Sequence, residues 1–484
     1  MKKKFYVTAA IPYVNAKPHL GHALGFVYAD VVARYHKFLG EEVILLSGAD
    51  ENSLKNVQSA EKENITAQAL CDKNSRLFQD LAKILNVSFN IFQRSTEKKH
   101  FESSQKLWEL CEKSGDIYRK FYAGLYCVGC EAVYTEDELE NGFCPEHKVR
   151  LEKVSEENYF FRLSKYQNQI KELLIRDKLK ITPSTRKNEA LSFINRGLED
   201  FSISRSRQRA RGWGIPVPGD PEQVMYVWFD ALNIYQSGIG FGWNEDSYNK
   251  WWPANLHIIG KGILRFHAVY WPAMLLSARL PLPKTIFVHG YVTAGGQKIS
   301  KSLGNAVDPF ELVKKYGADA VRYFLLREIS PTEDGDFTYE KFERRYNSDL
   351  AAGIGNLVAR VITLAARLNS KSEVRNPKQI LNSKFQTIIN KTRKNYKKFL
   401  EEFKFNEALA AIWELISFCD EHIEKERPWE ESKSQKKVIG YLLSVIGSIS
   451  QMLEPFLPET SEKIIKQLKT LESQPLFPRV DKSF

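Results

Sequence analysis

Strand-like runs alternate with amphipathic helical runs from the start of this chain, and no other feature restricts its fold as much. Residues 5–11 form a short apolar run, Leu20–Phe38 has helical periodicity ending at Gly40, and residues 42–47 (EVILLS) form the next strand. Across 66–85, Leu70, Leu77, Leu81, Ile84 and Leu85 fall on one helical face. Strands joined through helices pair in parallel, and a parallel sheet needs cover on both faces, so an α/β doubly wound architecture is expected. The rhythm stops near Gly115. A stretch rich in Cys, Tyr, Gly and charge follows to about Pro218. It then resumes with strands at 225–229, 256–259 and Thr285–His289 and helices at 231–237 and about 263–278. One sheet split by an insertion is the simplest reading. From Tyr339 onward the pattern is nearly all helical. The expected organisation is 1–115 with 219–304 as the split domain, 116–218 as the insertion, 305–345 as a connecting segment and 346–484 as a helical domain.

At 484 residues the chain is too long for one ordinary domain. Lys plus Arg number 70 against 59 Asp plus Glu, and the net charge of +11 weakly favours a polyanionic partner. No membrane span is expected: the longest apolar stretch, 438–453, is interrupted by Ser, Gly and Gln. Lys2–Lys4 ahead of apolar residues resembles a leader, but Pro12, Asn15 and Lys17 break it, and FYVTAAI suits a core strand. Six Cys are too few for a disulfide scaffold, and three of them cluster near a His, which points to metal and a reducing cytoplasm.

Three motifs carry chemistry. His19-Leu20-Gly21-His22 follows the first strand and opens a helix. A helix N-terminus presents unpaired N–H groups and partial positive charge, which suits phosphate. The two His share a face there, each able to donate to a phosphate oxygen, and Gly21 lets a flat base approach the backbone. Lys298-Ile299-Ser300-Lys301-Ser302 lies in a Gly-bearing loop after Thr285–His289. Its two ammonium groups, with hydroxyls between, can clamp a triphosphate. Either motif alone also reads as a surface loop. Both sit at carboxyl ends of expected strands, where open α/β sheets bind ligands. The third motif, Cys127-x2-Cys130-x13-Cys144-x2-His147, fits one structural Zn²⁺ held by three thiolates and an imidazole, with no open position. Cys71, Cys111 and Cys419 read as core residues.

The first two motifs resemble the HIGH and KMSKS signatures of class I aminoacyl-tRNA synthetases. AAIPYVNAKPHLGH, YVWFDALNIY, GILRFHAVYWPAML and FVHGYVTAGGQKISKS are similar to methionyl-tRNA synthetases in particular. The resemblance covers almost the whole chain. It implies a split Rossmann-like parallel sheet with a zinc-knuckle insertion and a C-terminal all-α bundle. It further implies that ATP with Mg²⁺ and L-methionine give methionyl-adenylate, and that the methionyl group passes to the 3′ end of tRNA(Met). His19, Gly21, His22, Lys298, Ser300 and Lys301 would bind ATP, and His19, His22, Lys298 and Lys301 would stabilise charge during transfer. Ile11, Tyr13, Trp228, Ala231, Tyr235, Ile263 and His267 would wall the methionine pocket, with Asp50 on the ammonium group. His267, four residues after Ile263, could orient a tyrosine hydroxyl. Asn356, Arg360 and Trp429 would read the anticodon by hydrogen bonding and stacking, as single-stranded bases require. The chain ends at Phe484, soon after the expected bundle, so a monomer is expected, while the cysteine usage points to the cytoplasm.

The chain departs from the family pattern in three places. Asn52 and Ser53 stand where many relatives have His and Gly, and Gly262 stands where many have Asp. SISRSRQRARGWGIPVP is expanded, and Arg205, Arg207, Arg209 and Arg211 could meet phosphates or simply be solvated. Two rivals remain at this level. A small adenylyltransferase would not need the Asn356/Arg360/Trp429 bundle, and a binding-only paralogue would not need the intact His and Lys pairs.

Overall fold

The computed structural model describes residues 2–127, 132–134, 136–145, 148–298, 307–368, 383–430 and 434–480. It divides into two compact units. One comprises Met1–Pro18, Leu39–Ala82 and Ser88–His289, the other His19–Phe38, Lys83–Val87 and Gly290–Phe484.

The first unit is built on six parallel strands: β1 (Lys4–Ala9), β2 (Glu42–Ala49), β3 (Ile91–Arg94), β4 (Lys180–Thr182), β5 (Leu256–Gly260) and β6 (Thr285–His289). Their order is β3-β2-β1-β5-β6-β4. Tyr6, Val7, Thr8 and Ala9 are all buried, as a central strand covered on both faces requires. Val7 registers with Leu256 on one side and Leu45 on the other. The strand order therefore reverses at β1, and open α/β sheets bind ligands beyond the carboxyl ends of strands at such a switch point. β4 comes from inside the 116–218 segment and pairs with β6, so that segment returns to the main sheet. The rest of that segment includes a small antiparallel sheet centred on Ile117–Cys127 and Glu152–Phe161.

Two elements differ from the sequence pattern. The strand expected at 225–229 ends at Met225, and α2 (Val227–Ser237) follows at once; the first helix, α1 (Leu20–Phe38), belongs to the second unit. Every residue of α2 is buried, so its apolar run has no period to separate helix from strand. The helix expected at 263–278 is broken into a tight turn at Lys261–Ile263, a wide turn at Phe266–Tyr270 and an α segment at Trp271–Ser277. Pro272 lacks the N–H that would complete a regular ladder there.

The second unit holds α1, a three-stranded sheet of β7 (Val292–Ala294), β8 (Gln297–Lys298) and β9 (Gly335–Phe337), helix α3 (Ala318–Arg327), and a bundle. The bundle helices are α4 (Asn356–Arg367), α5 (Ser383–Glu401), α6 (Phe405–Glu426), α7 (Gln435–Leu453) and α8 (Pro458–Thr470). The continuous helical run Tyr339–Arg367 has the length and hydropathy of a membrane span. Its Leu350, Ile354, Leu357, Val358, Val361 and Ile362 are buried within the protein. Arg322 of α3 is fully buried. It pairs with Asp30 of α1 at 2.8 Å and donates to the carbonyls of Leu85, Pro455 and Phe456 at 3.0, 2.9 and 2.7 Å. Removing Asp30 would strand that charge, at a cost of about 3–5 kcal/mol. Cys71, Cys111 and Cys419 are buried; desolvation pushes the Cys111 and Cys419 thiols up to about 12, as expected for inert core residues.

Candidate functional site

In the first unit, side chains from three strand ends and from α2 converge. Tyr13 follows β1 and Asp50 follows β2. The two backbones bridge, with the Asp50 N–H donating to the Pro12 carbonyl at 2.9 Å. Asp50 is only 2% exposed. Trp228 of α2 meets Tyr13 edge-on at 6.3 Å between centroids and stacks on Phe266 at 3.9 Å, with the planes 5° apart. Ala231 and Tyr235 lie on the same buried helix, while Ile11 and Ile263 are half-buried against the same core.

His267 has both ring nitrogens engaged. Nδ1 lies 3.0 Å from the Ile263 carbonyl, which can only accept, so Nδ1 carries the proton. Nε2 therefore accepts from the Tyr235 hydroxyl at 2.8 Å. Burial lowers the His267 pKa to about 4, so the ring is neutral at physiological pH and the hydroxyl direction is fixed. The expected orientation of a tyrosine by His267 is seen. This cluster is aromatic and polarisable, with one buried carboxylate on the adjoining loop; such groups suit a thioether and an ammonium group.

The loop that carries Asp50 is held from behind by residues that the motif reading passed over. Glu51 is fully buried and pairs with Arg94 at 2.8 Å. It also accepts from the hydroxyls of Ser75 and Thr96. Asn52 donates to the Ser95 carbonyl at 3.0 Å and to the buried Asp230 carboxylate at 2.6 Å. The departure at position 52 thus joins the Asp50 loop to α2, the helix of Trp228 and Tyr235. No local pattern signals this pair, whose partners stand 178 residues apart. Gly262 is exposed in its turn.

The arginine run is mostly turned to internal use. Arg205 is buried, donating to the Ser204 carbonyl at 2.7 Å and lying over the Tyr226 ring. Arg209 pairs with Glu156 at 3.0 Å and covers Tyr126, and Arg211 pairs with Glu61. Arg207 alone of the four is exposed with no side-chain hydrogen bond, ion pair or ring contact among the described residues.

In the second unit, α1 opens on the two histidines. Their rings lie 3.9 Å apart. His19 Nδ1 accepts from the Gly21 N–H at 3.1 Å, and His22 Nδ1 accepts from the His19 N–H at 3.2 Å. With both Nδ1 atoms accepting, the N–H of each ring is on Nε2. Desolvation, and secondarily His19, hold the His22 pKa well below its ordinary value. A Cβ on Gly21 would stand 3.0 Å from the His19 ring, so glycine here makes room for the histidine. α1 packs against β7, the strand whose hairpin partner β8 leads into the KISKS loop. The hairpin turn is pinned by Asp336, which accepts from the Gly296 N–H at 2.7 Å and the Thr293 hydroxyl at 2.9 Å. Those contacts hold the Asp336 carboxyl below the usual range. Lys298 closes β8, while Ser300 and Lys301 lie outside the described residues.

At the bundle, Arg360 donates to Glu424 at 2.8 Å and its guanidinium stands 5.8 Å from the Trp429 ring. Trp429 is 41% exposed and Asn356, one turn before Arg360 on α4, is exposed. This is a stacking platform beside a planar donor.

Cys127 and Cys144 share one small buried cluster with Tyr134, Leu139 and Leu151. Two buried thiols in one cluster would supply half of a tetrahedral thiolate-rich donor set, as a structural zinc site needs. Cys130 and His147 lie outside the described residues. Among the described residues no group of three or more potential metal ligands occurs.

A family model described as tRNA synthetases class I (M) matches residues 5–154 and 148–362, and one described as the anticodon-binding domain of tRNA ligase matches 379–483. The methionine–tRNA ligase of Thermotoga maritima is 40% identical over 482 residues, covering 98% of this chain and 76% of that protein. That of Brucella suis is 41% identical over 480 residues, covering 96% and 91%. The crystal structure of Mycobacterium tuberculosis methionyl-tRNA synthetase bound by methionyl-adenylate superposes with a TM-score of 0.91 at 34% identity, covering 98% of this chain and 100% of that one.

Proposed function

The chain belongs to the methionyl-tRNA synthetases of class I and is an ATP-dependent methionine–tRNA ligase; from that premise we propose which residues carry each step. Asp50 holds the methionine ammonium group. Ile11, Tyr13, Trp228, Ala231, Tyr235, Ile263 and His267 enclose the thioether. An uncharged analogue forgoes the charge-assisted contact to the buried Asp50 carboxylate, and that lost contact is the selectivity. The methionine carboxylate attacks the α-phosphorus of ATP, which arrives as its magnesium complex. The bond to the β-phosphate oxygen breaks and pyrophosphate leaves. No protein nucleophile is needed, so the protein contributes alignment and charge stabilisation. His19 and His22 donate from Nε2, with Gly21 admitting the nucleotide. Lys301 is the principal cation, supported by Lys298 and Ser300. A terminal ribose hydroxyl of tRNA(Met) then attacks the activated carbonyl and AMP leaves.

Asn356, Arg360 and Trp429 read the anticodon. Cys127, Cys130, Cys144 and His147 hold one zinc, which contributes folding energy to the insertion and takes no part in the reaction. The protein works as a cytoplasmic monomer. The observation that carries the methionine assignment is the buried Asp50 carboxylate beside the Tyr13–Trp228 edge contact and the fixed Tyr235–His267 pair. ATP–pyrophosphate exchange across the amino acids tests it, with exchange expected for methionine alone. Lys301→Ala should lower the exchange rate far more than it raises the KM for methionine; an unchanged rate would remove Lys301 from the reaction.

A further inference from the structure

Helix α5 carries Lys384, Lys391, Arg393, Lys394, Lys397 and Lys398 against a single carboxylate, Glu401. All six cations are exposed. At 100° per residue, Lys384, Lys391, Lys394 and Lys398 form one stripe. Phe385, Ile389, Thr392, Tyr396 and Leu400, all buried, form the opposite, inward face. A merely solvated helix face usually mixes signs at i,i+3 and i,i+4 spacing, because like charges there repel. Here 391/394 and 394/398 are like pairs. Glu401 lies in the last turn, where it pairs with Lys397 at 3.8 Å. None of the four stripe lysines makes an ion pair among the described residues, although Lys384 lies over the Phe418 ring at 5.5 Å and Lys398 is near enough to Glu402 to help lower its pKa, so the like pairs are kept at a cost to the helix.

The inward face shows where this stripe runs. Phe385 packs on Phe418 and His422 of α6, at centroid distances of 5.4 and 4.8 Å, two residues from the Glu424 that holds Arg360. Tyr396 packs on Tyr35 of α1 at 6.3 Å and on Phe456 at 6.0 Å. Lys384 to Lys398 spans about 21 Å at helical rise. The cationic line therefore leads from the Arg360–Trp429 platform toward the C-terminal end of α1 at Tyr35, about 24 Å at helical rise from the end that opens on His19 and His22.

We propose that the outer face of α5 is a binding surface for the tRNA phosphate backbone, with Lys384, Lys391, Lys394 and Lys398 neutralising phosphates between the anticodon and the acceptor arm. The proposal rests on the methionine–tRNA ligase reading and adds a surface to it. Phosphate contacts fix register without reading sequence, which complements the base-reading platform at one end of the helix.

The test is the quadruple Lys→Gln variant at 384, 391, 394 and 398, its fold checked by thermal melting. Each lost phosphate contact removes about 0.7–0.9 from the slope of log affinity against log salt. The slope for tRNA(Met) binding should fall by about 3 and the KM for tRNA should rise at least tenfold. The quadruple Lys→Arg variant should keep both near wild type. Should the Gln variant melt early, K391Q/K398Q replaces it with about half the change. An unchanged slope overturns the proposal while leaving the ligase reading intact. Wild-type protein that fails to charge tRNA with methionine overturns both. Loss of binding to phosphatidylserine vesicles in the Gln variant, with the tRNA slope unchanged, overturns it in favour of a membrane surface.

Discussion

The side chains around Asp50 and the platform around Trp429, proposed to take an amino acid and an anticodon, differ sharply in burial. Asp50, Tyr235 and His267 are buried, and the Tyr235–His267 hydrogen bond runs in one direction only. Around the platform, Trp429 is 41% exposed and Arg360 is held by one ion pair whose partner is 64% exposed. A small amino acid offers few contacts, so its site must be organised before it arrives, in a low dielectric where each polar contact counts for more. An anticodon brings flat bases and much area, so exposed aromatic and guanidinium groups suffice. Errors in the first region should therefore cost far more than errors in the second.

The largest expected effect tests that contrast directly. Asp50→Asn should lower kcat/KM for methionine in pyrophosphate exchange about a thousandfold, roughly 4 kcal/mol, because a buried ammonium loses its counter-ion. A loss of less than tenfold would break the contrast. Next is the pH dependence of His267. Its folded pKa of about 4 lies below the ordinary 6.5. The stability it contributes is complete above pH 6.5 and is lost as pH falls toward 4, by roughly 3 kcal/mol. His267→Gln lacks that titration, so its melting temperature should drop less than wild type between pH 7 and pH 4.5 in calorimetry.

On the exposed side, Arg360→Ala should reduce aminoacylation kcat/KM for tRNA(Met) about 30-fold, roughly 2 kcal/mol, with the change falling on the tRNA term. The smallest effect is Glu424→Gln. The pair is largely solvated and worth under about 1 kcal/mol, and its carboxylate competes with RNA for the guanidinium. Filter binding should show tRNA affinity rising two- to threefold; a loss above tenfold would make Glu424 an organiser of the site instead.

Much of this chain declares itself locally. β1, α1, β2 and β6 lie within a few residues of their apolar patterns, because alternation and helical period are properties of neighbouring residues. The His19–His22 pair, the KISKS loop and the cysteine hooks are also short-range patterns. The four-residue offset puts His267 on the face of Ile263, but that its partner is Tyr235, 32 residues away, is a tertiary fact. α2 was misjudged at its start because burial all round erases periodicity. The three-residue β4 is too short to carry a pattern, and only pairing with β6 makes it a strand.

The residue order alone determined the α/β core, its interruption, the helical end and the chemistry of the phosphate motifs. These follow from covalent spacing and side-chain type, which folding does not alter. Tertiary structure decided which charges are spent internally and which face solvent. Arg205, Arg209 and Arg211 look as available in sequence as Lys391 and Lys398 do. Yet the first three lie against Tyr226, Glu156 and Glu61 while the last two face outward. A cation's partner is fixed by proximity in space, and contacts such as Asn52 to Asp230 or Arg322 to Asp30 join residues that no local pattern connects.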